Sequence, residues 1–407
     1  MTNARHDGDA GPLVRLAPSL AGCEKALLRA AGLPEPAIPV CDPRTLQALG
    51  ARVAAALRVE PVVLEAPAAD VALAEALASR CQGAGSILAI GSGTLNDLVK
   101  FAASRLGVPC AVFATAPSQN GWLTATASLA VGHVKTSLPV VAPRAAFFDL
   151  AVLAAAPPRL RAAGIGDALC RPVVEADLRL AQRLVGASFD PDWFEPLRAS
   201  ERALGDRAAA AVAGESQAVR LLTEVLVEQS LVMRAAATSA PASQGEHAIA
   251  HLVECFAEPP IGTLHGELVA LGTAALAAVQ HRLLARSRAP TLHPLSPGDP
   301  AIGEVFADHA EQARAAIAAL GLDDPGRVAA LEERLRAHWT ELRCQLLPLV
   351  REAGERVETF QSLGLPVRPQ QLGLDPGRFD RLSRFAFALR PRFGFLTLTA
   401  LAGETDS

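Results

Sequence analysis

Residues 86–97 have the sequence SILAIGSGTLND, in which a short apolar run enters a glycine loop and the loop leads into a helical pattern. The run from Ser86 to Ile90 predicts a buried strand, and the spacing of apolar residues from Thr94 to Leu106 predicts a helix. Glycines at this junction let backbone N–H groups approach a phosphate, and the helix dipole favours its negative charge. The pattern is GSGT without the GxGxxG fingerprint, so a tight strand-to-helix turn without a ligand is an equal alternative.

Strand and helix patterns alternate on both sides of this loop. Further strands are predicted at 37–41, 59–64 and 108–114, and further helices at 45–57 and 71–80. Such alternation is typical of βαβ units that form a parallel sheet. Residues 1 to about 15 are predicted to be a loose tail.

Beyond about residue 155 the pattern becomes helical. Stretches rich in Ala, Leu, Arg and Glu predict amphipathic helices at 161–184, 193–213, 217–236, 267–286 and 325–353. We therefore predict an α/β, Rossmann-like dinucleotide-binding domain over residues 1–155. An all-helical domain over residues 156–407 follows it, with a cleft between the two.

The composition indicates a globular protein of the cytoplasm. The chain has 407 residues and a net charge of −4, which provides no basic field for nucleic acid. No apolar run is long enough to span a membrane, and the N-terminus lacks the apolar region of a signal peptide. Seven scattered cysteines without a CxxC pair favour a reducing compartment. Arginine replaces lysine almost everywhere, so the retained lysines Lys25, Lys100 and Lys135 are informative.

Other polar positions lie where the predicted strands end. The loop TAPSQNGW (residues 115–122) follows a strand, at the edge of a parallel sheet where ligands bind. Asp42 ends the first of the predicted strands. It is a candidate for binding an adenosine ribose, although capping of the next helix is more common for an isolated aspartate. Lys135 is a candidate for binding a phosphate, although an exposed lysine is the commoner explanation.

Three further motifs have the chemistry of a metal site. Asp167 ends the sequence AGIGD, His247 and His251 lie in GEHAIAH, and His265 lies in LHGE. The spacing of His247 and His251 puts them on one helix face, where both can chelate one ion or one can face a substrate. One carboxylate and two imidazoles leave coordination positions open, as in catalytic sites, so the helical domain would bind metal and substrate. Neighbouring carboxylates are rival ligands or partners that orient the imidazoles: Glu246, Glu254 and Glu267.

Together these motifs resemble the glycerol-1-phosphate dehydrogenase family, in particular its bacterial branch. That family lies within the group of iron-containing alcohol dehydrogenases, glycerol dehydrogenases and dehydroquinate synthases. The resemblance rests on GSGTLNDLVK (91–100), TAPS (115–118), GIGD (164–167), GEH with His251, LHGE (264–267) and RPRFGFLT (390–397). It spans roughly residues 35 to 400 and implies a dehydroquinate synthase-like fold, in agreement with the two-domain prediction.

The resemblance also implies roles for single residues. Asp167, His247 and His265 would bind one divalent ion (zinc, nickel or iron), and His251 would contact the substrate. Asp42 would favour NAD(H) over NADP(H) through the ribose hydroxyls. The cofactor-binding positions expected besides Asp42 are Gly91, Ser92, Gly93, Thr94, Leu95, Asn96, Asp97, Thr115, Ala116, Ser118 and Thr124.

Two departures from the family pattern bear on the substrate. This chain has Asn120 in SQNGW where the family has aspartate in SMDGY, so a position that touches substrate loses its charge. Arg171 stands where the family often has lysine. Both changes concern substrate recognition rather than metal or cofactor binding.

The expected activity is reduction of dihydroxyacetone phosphate by NAD(P)H to sn-glycerol 1-phosphate, or the same reaction on a closely related hydroxyketone. His251 would supply a proton, Asn120 would touch the substrate and Lys135 would receive its phosphate. The expected partners are a small phosphorylated ketone or polyol and further copies of the chain in a homodimer or higher oligomer. One alternative is a dehydroquinate synthase-like cyclase or lyase that keeps NAD bound, for which this chain is poor in lysine. Another is a non-catalytic relative that binds a nucleotide.

Overall fold

The computed structural model describes residues 11–132, 134–256 and 262–403, which group into two compact units. Unit 1 comprises the chain up to Pro117 with Gly121–Pro157 and Gly214–Arg234. Unit 2 comprises Ser118–Asn120, Pro158–Ala213 and the chain from Ala235 onward. A parallel-sheet α/β unit and a helical unit confirm the predicted fold class, while the domain boundary at residues 155 and 156 stays a prediction.

The secondary structure is mainly helical. The strands are β1 (Leu13–Ala17), β2 (Ala37–Cys41), β3 (Val62–Val63), β4 (Ser86–Gly91), β5 (Cys110–Ala114), β6 (Thr126–Val131), β7 (Val134–Pro139) and β8 (Ala145–Asp149). The α-helices are α1 (Glu24–Ala30), α2 (Pro43–Thr45), α3 (Ala51–Leu57), α4 (Val71–Arg80), α5 (Gly93–Leu106), α6 (Leu150–Ala155), α7 (Pro158–Ala168), α8 (Arg171–Val185), α9 (Glu195–Asp206), α10 (Ala208–Ala213), α11 (Ser216–Ala235), α12 (Gly245–Phe256), α13 (His265–Leu284), α14 (Pro300–Phe306), α15 (Ala310–Ala319), α16 (Pro325–Ser362), α17 (Pro376–Phe385) and α18 (Phe395–Leu401). Shorter helical turns lie at Leu46–Gly50, Pro191–Trp193, Ala240–Ala242, Ala307–His309, Pro369–Leu372 and Ala386–Ala388.

Unit 1 is built on a six-stranded sheet with the order β1-β8-β5-β4-β2-β3, in which every neighbouring pair is parallel. β4, β5 and β8 are buried along their whole length, as strands covered on both faces are. α1 and α3 contribute Leu28 and Val53 to one core, and α4 and α5 contribute Leu77 and Leu98 to the other. The helices therefore cover opposite faces of the sheet. β6 and β7 form a separate antiparallel pair.

The topology places a ligand-binding edge beside β2 and β4. These neighbouring strands lead into helices on opposite faces of the sheet, α3 and α5, so the loops that follow them diverge. Such a point at the carboxyl edge of a parallel sheet is where open α/β sheets bind ligands. The diverging loops begin at Asp42 and Ser92, and Thr115 follows the adjacent β5.

Residue patterns predicted the central elements of unit 1 and missed an edge. The strand at 37–41 and the helix at 71–80 have the predicted bounds and are confirmed. Residues 13–17, which the loose-tail prediction partly covered, form β1 and pair with β8, so that prediction was wrong there. Its partner strand lies far away in sequence, and a local pattern cannot reveal such a pairing. Residues 1–10 of the predicted tail lie outside the described residues.

Unit 2 contains most of the helices after α6, whereas α11 groups with unit 1 over all but its last residue. The stretch predicted as a single helix over 161–184 forms α7 and α8, which are separated by Leu169 and Cys170. Pro172 lies in the first turn of α8, where its missing N–H costs no helical hydrogen bond. The interruption comes directly after the GIGD motif. Within the three described ranges, the structure contains no helix long and apolar enough to cross a membrane.

Candidate functional site

Asp167, His247, His251 and His265 come together within unit 2. Asp167 is the penultimate residue of α7, His265 is the first residue of α13, and His247 and His251 lie one turn apart on α12. The ring centroids of His265 lie 5.2 Å from those of both His247 and His251. Helix α7 and the consecutive helices α12 and α13 therefore supply one cluster of side chains with metal-binding chemistry.

Glycines allow these helices to approach each other at backbone contact distance. A Cβ atom at Gly266 would lie 1.8 Å from the carbonyl oxygen of Ala163, and one at Gly166 would lie 2.1 Å from that of Gly266. A Cβ atom at Gly272 would lie 2.2 Å from the carbonyl oxygen of Glu246. No larger residue fits at these positions unless the backbones separate. α13 thus lies against both α7 and α12, and this brings His265 to Asp167 and His247.

The ligand atoms of Asp167, His247 and His265 lie within 4.8 Å of one another, as three ligands of one ion do. His247 Nε2 is 3.4 Å and His265 Nε2 is 3.9 Å from Asp167 Oδ1. Asp167 Oδ1 is buried and accepts no hydrogen bond of normal geometry from the described residues, and the nearer imidazole N–H group, that of His247 Nε2, lies at the long distance of 3.4 Å. A buried carboxylate oxygen without a well-placed donor is costly, and a cation between it and the two imidazoles would remove that cost. The donor set of one carboxylate and two imidazoles fits zinc, iron or nickel.

The charges in this cluster also favour a cation. Burial raises the pKa of Asp167, but His247, His265 and the N–H of Asn120 together hold it below its ordinary value. Burial lowers the pKa of His247, but Asp167 and Glu246 raise it to about 9. At neutral pH the metal-free site therefore holds a proton on His247. An incoming metal ion must displace that proton, since the imidazole has to be neutral to coordinate.

Glu246 orients His247 rather than competing with it for the metal. Its Oε1 lies 2.6 Å from His247 Nδ1, which leaves Nε2 directed at Asp167. A carboxylate on the second ring nitrogen fixes the orientation of a metal-binding imidazole and raises its basicity. Cys170 also lies near Glu246 and His247. Burial and the neighbouring carboxylates raise the pKa of that thiol well above its ordinary value, so Cys170 is a poor thiolate ligand.

The other two carboxylates considered as rivals have different partners. Glu267 forms an ion pair with Arg159 and accepts the backbone N–H of Leu264 at the start of α13. Glu254 Oε2 lies 3.6 Å from His251 Nδ1, and its side chain is 36% exposed. His251, Glu254 and His265 are a second group with metal-binding spacing. Since the Glu254 carboxylate faces solvent, Asp167 is the better-placed carboxylate for an ion with open coordination positions.

The glycine loop lies at the carboxyl edge of the sheet in unit 1. Gly91 is the last residue of β4 and Gly93 is the first residue of α5, with Ser92 between them. A Cβ atom at Gly91 would lie 2.4 Å from the Leu95 side chain, and the carbonyl of Gly91 accepts the N–H of Thr115. The N-terminus of a helix of this length is a suitable site for a dinucleotide phosphate. Thr94 and Leu95 lie in its first turn.

A lysine that the cofactor prediction did not include organises the neighbouring loop. Lys100 is buried, forms an ion pair with Asp97, and donates to the carbonyl oxygens of Gly121 and Thr126. Asn96 Nδ2 also donates to the carbonyl oxygen of Gly121. The available signal was that Lys100 is a retained lysine in an arginine-rich chain. Asn96 and Asp97, predicted as cofactor contacts, here support the loop that follows β5.

Asp42 has the capping role that the sequence suggested, and its contact with a ribose stays a prediction. Its Oδ1 accepts the N–H groups of Arg44 and Thr45, so it caps α2. Both capping bonds go to Oδ1, so Oδ2 is the oxygen that a ribose hydroxyl would meet. Capping fixes the carboxylate at the edge of the sheet and is compatible with cofactor binding.

The remaining predicted residues lie in both units. Thr115 and Ala116 are buried just after β5, and Thr124 Oγ1 lies 3.3 Å from Lys100 Nζ, all in unit 1. The catalytic candidate Lys135 is half-buried on β7, opposite Ala130, also in unit 1.

Ser118 and Asn120 belong to unit 2 with the metal-binding cluster. Asn120 is buried and donates its backbone N–H to Asp167 Oδ2 at 2.8 Å. This bond holds the carboxylate from one side, so that Oδ1 faces the histidines. Asn120 therefore acts on the metal site through its backbone, whatever its side chain contributes.

Comparisons with known proteins bear on the family to which the chain belongs. The family model of iron-containing alcohol dehydrogenases matches residues 15–157. Glycerol-1-phosphate dehydrogenase [NAD(P)+] of Bacillus velezensis is 33% identical over 270 residues, which is 63% of this chain and 68% of that protein. The protein of the same name from Pyrococcus furiosus is 30% identical over 248 residues, which is 60% of this chain and 70% of that protein.

Solved structures agree on the fold. An alcohol dehydrogenase from an archaeal source in a Red Sea brine pool has a TM-score of 0.61 at 16% identity and covers 95% of this chain and 93% of its own. A probable glycerol dehydrogenase from Sinorhizobium meliloti has a TM-score of 0.54 at 20% identity and covers 82% of this chain and 97% of its own. The sequence relationships, each spanning more than two thirds of the relative, show that the chain belongs to the glycerol-1-phosphate dehydrogenase family of the iron-containing alcohol dehydrogenases.

Proposed function

We propose that this protein is a metal- and NAD(P)(H)-dependent dehydrogenase that reduces dihydroxyacetone phosphate, or a closely related phosphorylated hydroxyketone, to sn-glycerol 1-phosphate or its counterpart. The observation that carries the proposal is the buried Asp167 Oδ1, which accepts no hydrogen bond of normal geometry from the described residues and faces His247 and His265. The names of the relatives supply the substrate and the cofactor. These relatives are named as dehydrogenases, so the cyclase alternative is not favoured.

The chain's own residues would hold and orient the reactants. Asp167, His247 and His265 would hold a divalent ion, which supplies Lewis-acid polarisation of a carbonyl oxygen. Asn120 fixes Asp167 through its backbone N–H, and Glu246 fixes the ring of His247. Burial of Asp167 and His247 excludes water, which strengthens every charge interaction at the site.

His251 is the residue best placed to move a proton. It lies next to His265, and its Nδ1 is 3.6 Å from Glu254 Oε2. Since Glu254 is partly exposed, a proton taken by the substrate oxygen from His251 can be replaced from solvent through that carboxylate.

The cofactor would bind at the carboxyl edge of the sheet in unit 1. The backbone of residues 91–95 would meet the pyrophosphate, Asp42 Oδ2 a ribose hydroxyl, and residues 115–118 and Thr124 the nicotinamide side. A bound nicotinamide supplies the hydride that the reduction requires. Lys100 would act indirectly, because its bonds to Gly121 and Thr126 shape the loop near these positions.

The proposal includes a homo-oligomer that works in the cytoplasm. Val131 and Val141 are apolar side chains of unit 1 that are 50% and 51% exposed, and each is a candidate contact for a second copy. Light scattering coupled to size-exclusion chromatography would give the mass of the assembly. A monomer at micromolar concentration would contradict this part of the proposal and leave the enzymatic part unaffected.

The activity is tested by following NADH absorbance with protein loaded with zinc, nickel or iron. Dihydroxyacetone phosphate is the substrate, and unphosphorylated dihydroxyacetone is the control. We expect NADH oxidation with the phosphorylated ketone that stops when the metal is chelated and returns when it is restored. Absence of oxidation by protein with bound metal and NADH would contradict the proposal. Turnover of a substrate without any net change in NADH would indicate the cyclase class instead.

A further inference from the structure

Two arginines near the C-terminus lie side by side without an acidic partner. Arg390 donates to Ser243 Oγ at 2.9 Å, and Arg392 donates to the Ser243 carbonyl and, at 2.9 Å, to Ser239 Oγ. Within the described part of the chain, neither guanidinium forms an ion pair with a carboxylate. Arg171 is a contrast, since its buried guanidinium pairs with Glu175, Glu201 and Glu352.

Nearby carboxylates compensate this arrangement only in part, since the charge of Glu246 acts on both arginines and their pKa values are still lowered. Burial and the charge of Arg392 lower the pKa of Arg390 to about 10, and burial also lowers the pKa of Arg392. Two adjacent cations out of bulk water repel each other and lose hydration. An anion with oxygens to accept several N–H groups would compensate both effects. The planar fork of a guanidinium suits phosphate oxygens in particular.

The pair lies beside the helix that carries two of the metal-site histidines. Ser243, which both arginines contact, is four residues before His247, and all these residues belong to unit 2. Arg390 and Arg392 line a small cavity together with Asp177, Gln244, Gly245 and Thr397. The Asp177 carboxylate accepts the backbone N–H groups of Gly245 and Phe395 and forms no ion pair with either arginine. The charges of Glu246 and Glu254, which contact His247 and His251, also act on Arg390. The arginines and the metal cluster therefore share one part of unit 2.

We propose that Arg390 and Arg392 form the subsite for the phosphate group of the substrate. This inference rests on the proposed function for the identity of the substrate, and it assigns to the arginines the phosphate contact that the sequence suggested for Lys135. The cavity measures about 10 Å³, which admits one water, so the guanidiniums must move apart around a phosphate. Both lie in the non-helical segment between Ala386–Ala388 and α18, where side chains can adjust without breaking a helix.

The direct test is calorimetric titration of inorganic phosphate into the metal-loaded protein. We expect Arg390→Gln and Arg392→Gln to weaken phosphate binding by roughly 10- to 100-fold, the usual range for a lost charge-assisted contact. Arg390→Lys keeps the charge and loses the fork, so its affinity should lie between those of Arg390→Gln and the wild type. Arg343→Gln is the matched control, since Arg343 is also a half-buried arginine of unit 2 and donates to a backbone carbonyl. Metal content and circular dichroism of each variant establish that it folds and keeps its ion.

Steady-state kinetics separates the phosphate subsite from the metal site. The KM of Arg390→Gln for dihydroxyacetone phosphate should rise by a similar factor. The rate of this variant with dihydroxyacetone, divided by its rate with dihydroxyacetone phosphate, should also rise. Unchanged phosphate affinity in both glutamine variants, or a loss seen only in Lys135→Gln, would overturn the inference. If the wild type reduces no ketone and its phosphate binding still depends on both arginines, the result contradicts the proposed substrate and supports the phosphate subsite. If the wild type reduces the phosphate ester and the arginine variants match it, the subsite alone fails.

Discussion

At the scale of single residues, the two oxygens of Asp167 have different environments, and this difference accounts for the site. Oδ2 is held by the N–H of Asn120, whereas Oδ1 is buried against two imidazoles and accepts no hydrogen bond of normal geometry from the described residues. A protonated His247 partly compensates this oxygen, and a metal ion would do so completely. The Asp167 carboxylate is thus held in a position that suits a cation, and this position lowers local stability. Functional sites often contain such locally unfavourable arrangements.

Substitution of His265 tests the metal assignment. His265→Ala removes one of three ligands, and we expect metal affinity to fall by more than about 100-fold, the upper range for losing a residue that only orients a ligand. Metal content after dialysis and the rise in Tm on adding zinc, nickel or iron are the measurements. His281→Ala is the control, because His281 is an exposed histidine of the same helix. Equal metal content in the two variants would exclude His265 as a ligand.

The sequence indicated which residues have metal chemistry but not how they are oriented. Helical spacing alone placed His247 and His251 on one side of a helix, and the structure has them there. The contact of Glu246 with the imidazole of the adjacent His247 depends on the directions of the two side chains. The lack of an acidic partner for Arg390 depends on segments that are distant in sequence. A linear pattern contains neither kind of information.

At the scale of helices, the site depends on close crossings that only glycine permits. Gly266 follows His265 directly, and its Cα faces the Ala163 carbonyl of α7. His265, the proposed metal ligand, and Gly266, which permits the approach of the helices, are therefore adjacent in sequence. Helix α7 also ends one residue after Asp167, so the carboxylate lies at a helix end rather than within a continuous helix. The single long helix predicted there hid this feature, because the residues at the break, Leu169 and Cys170, are apolar and buried and give no signal of a helix end.

Gly266→Ala should separate α13 from α7. The added Cβ would meet a backbone oxygen at 1.8 Å, which no rotamer change can relieve. We expect a loss of about 1–3 kcal/mol or more in the free energy of unfolding and weaker metal binding, measured by denaturant unfolding and metal titration. Gly354→Ala is the matched control in α16, with no atom within 4 Å of the added carbon. It should raise stability by about 0.5–1 kcal/mol. Equal stability changes in both variants would contradict the crossing argument.

Asp177 on α8 connects two helix starts in unit 2. Its Oδ2 accepts the N–H of Gly245 at the start of α12, and its Oδ1 accepts the N–H of Phe395 at the start of α18. One buried carboxylate thus caps the helix of the metal-site histidines and the C-terminal helix. Burial raises its pKa to about 7, with a contribution from Glu246, although the two N–H groups lower it.

This raised pKa predicts a distinctive pH dependence. The folded protein holds the proton of Asp177 up to about pH 7, whereas the unfolded chain loses it near pH ~3.9. The contribution of Asp177 to stability is therefore full below pH ~3.9 and is lost as pH rises through 7. Relative to Asp177→Asn, which cannot ionise, the wild type should lose up to roughly 1.4 kcal/mol per pH unit in this window. Denaturant unfolding of both proteins from pH 5 to 9 measures the difference, and parallel profiles would contradict it.

At the scale of the whole molecule, the two predicted binding functions belong to different compact units. The glycine loop, Asp42 and Thr115 belong to unit 1, while Asp167 and the three histidines belong to unit 2. Alternating strand and helix patterns predicted the central strands and helices of the first unit but not β1, and the phosphate-binding role of its glycine loop stays a prediction. The division of the chain was harder to predict, because Ser118–Asn120 and Gly214–Arg234 each group with the unit other than the one around them in sequence. Such groupings arise from tertiary contacts, and no change in amino-acid composition marks their boundaries in the sequence.

Hydrogen exchange on the full-length protein can separate the two binding functions. Zinc should slow exchange mainly in α7, α12 and α13, because it connects their ligands and makes local opening of any one of them more costly. NAD should slow exchange mainly in the first turn of α5 and the loop after β5, where backbone N–H groups would meet the cofactor. His265→Ala should abolish the response to zinc and keep the response to NAD. Two results would contradict the assignment of the metal site to unit 2 and of the cofactor site to unit 1. One is protection by zinc that is confined to unit 1, and the other is protection by NAD that disappears in His265→Ala.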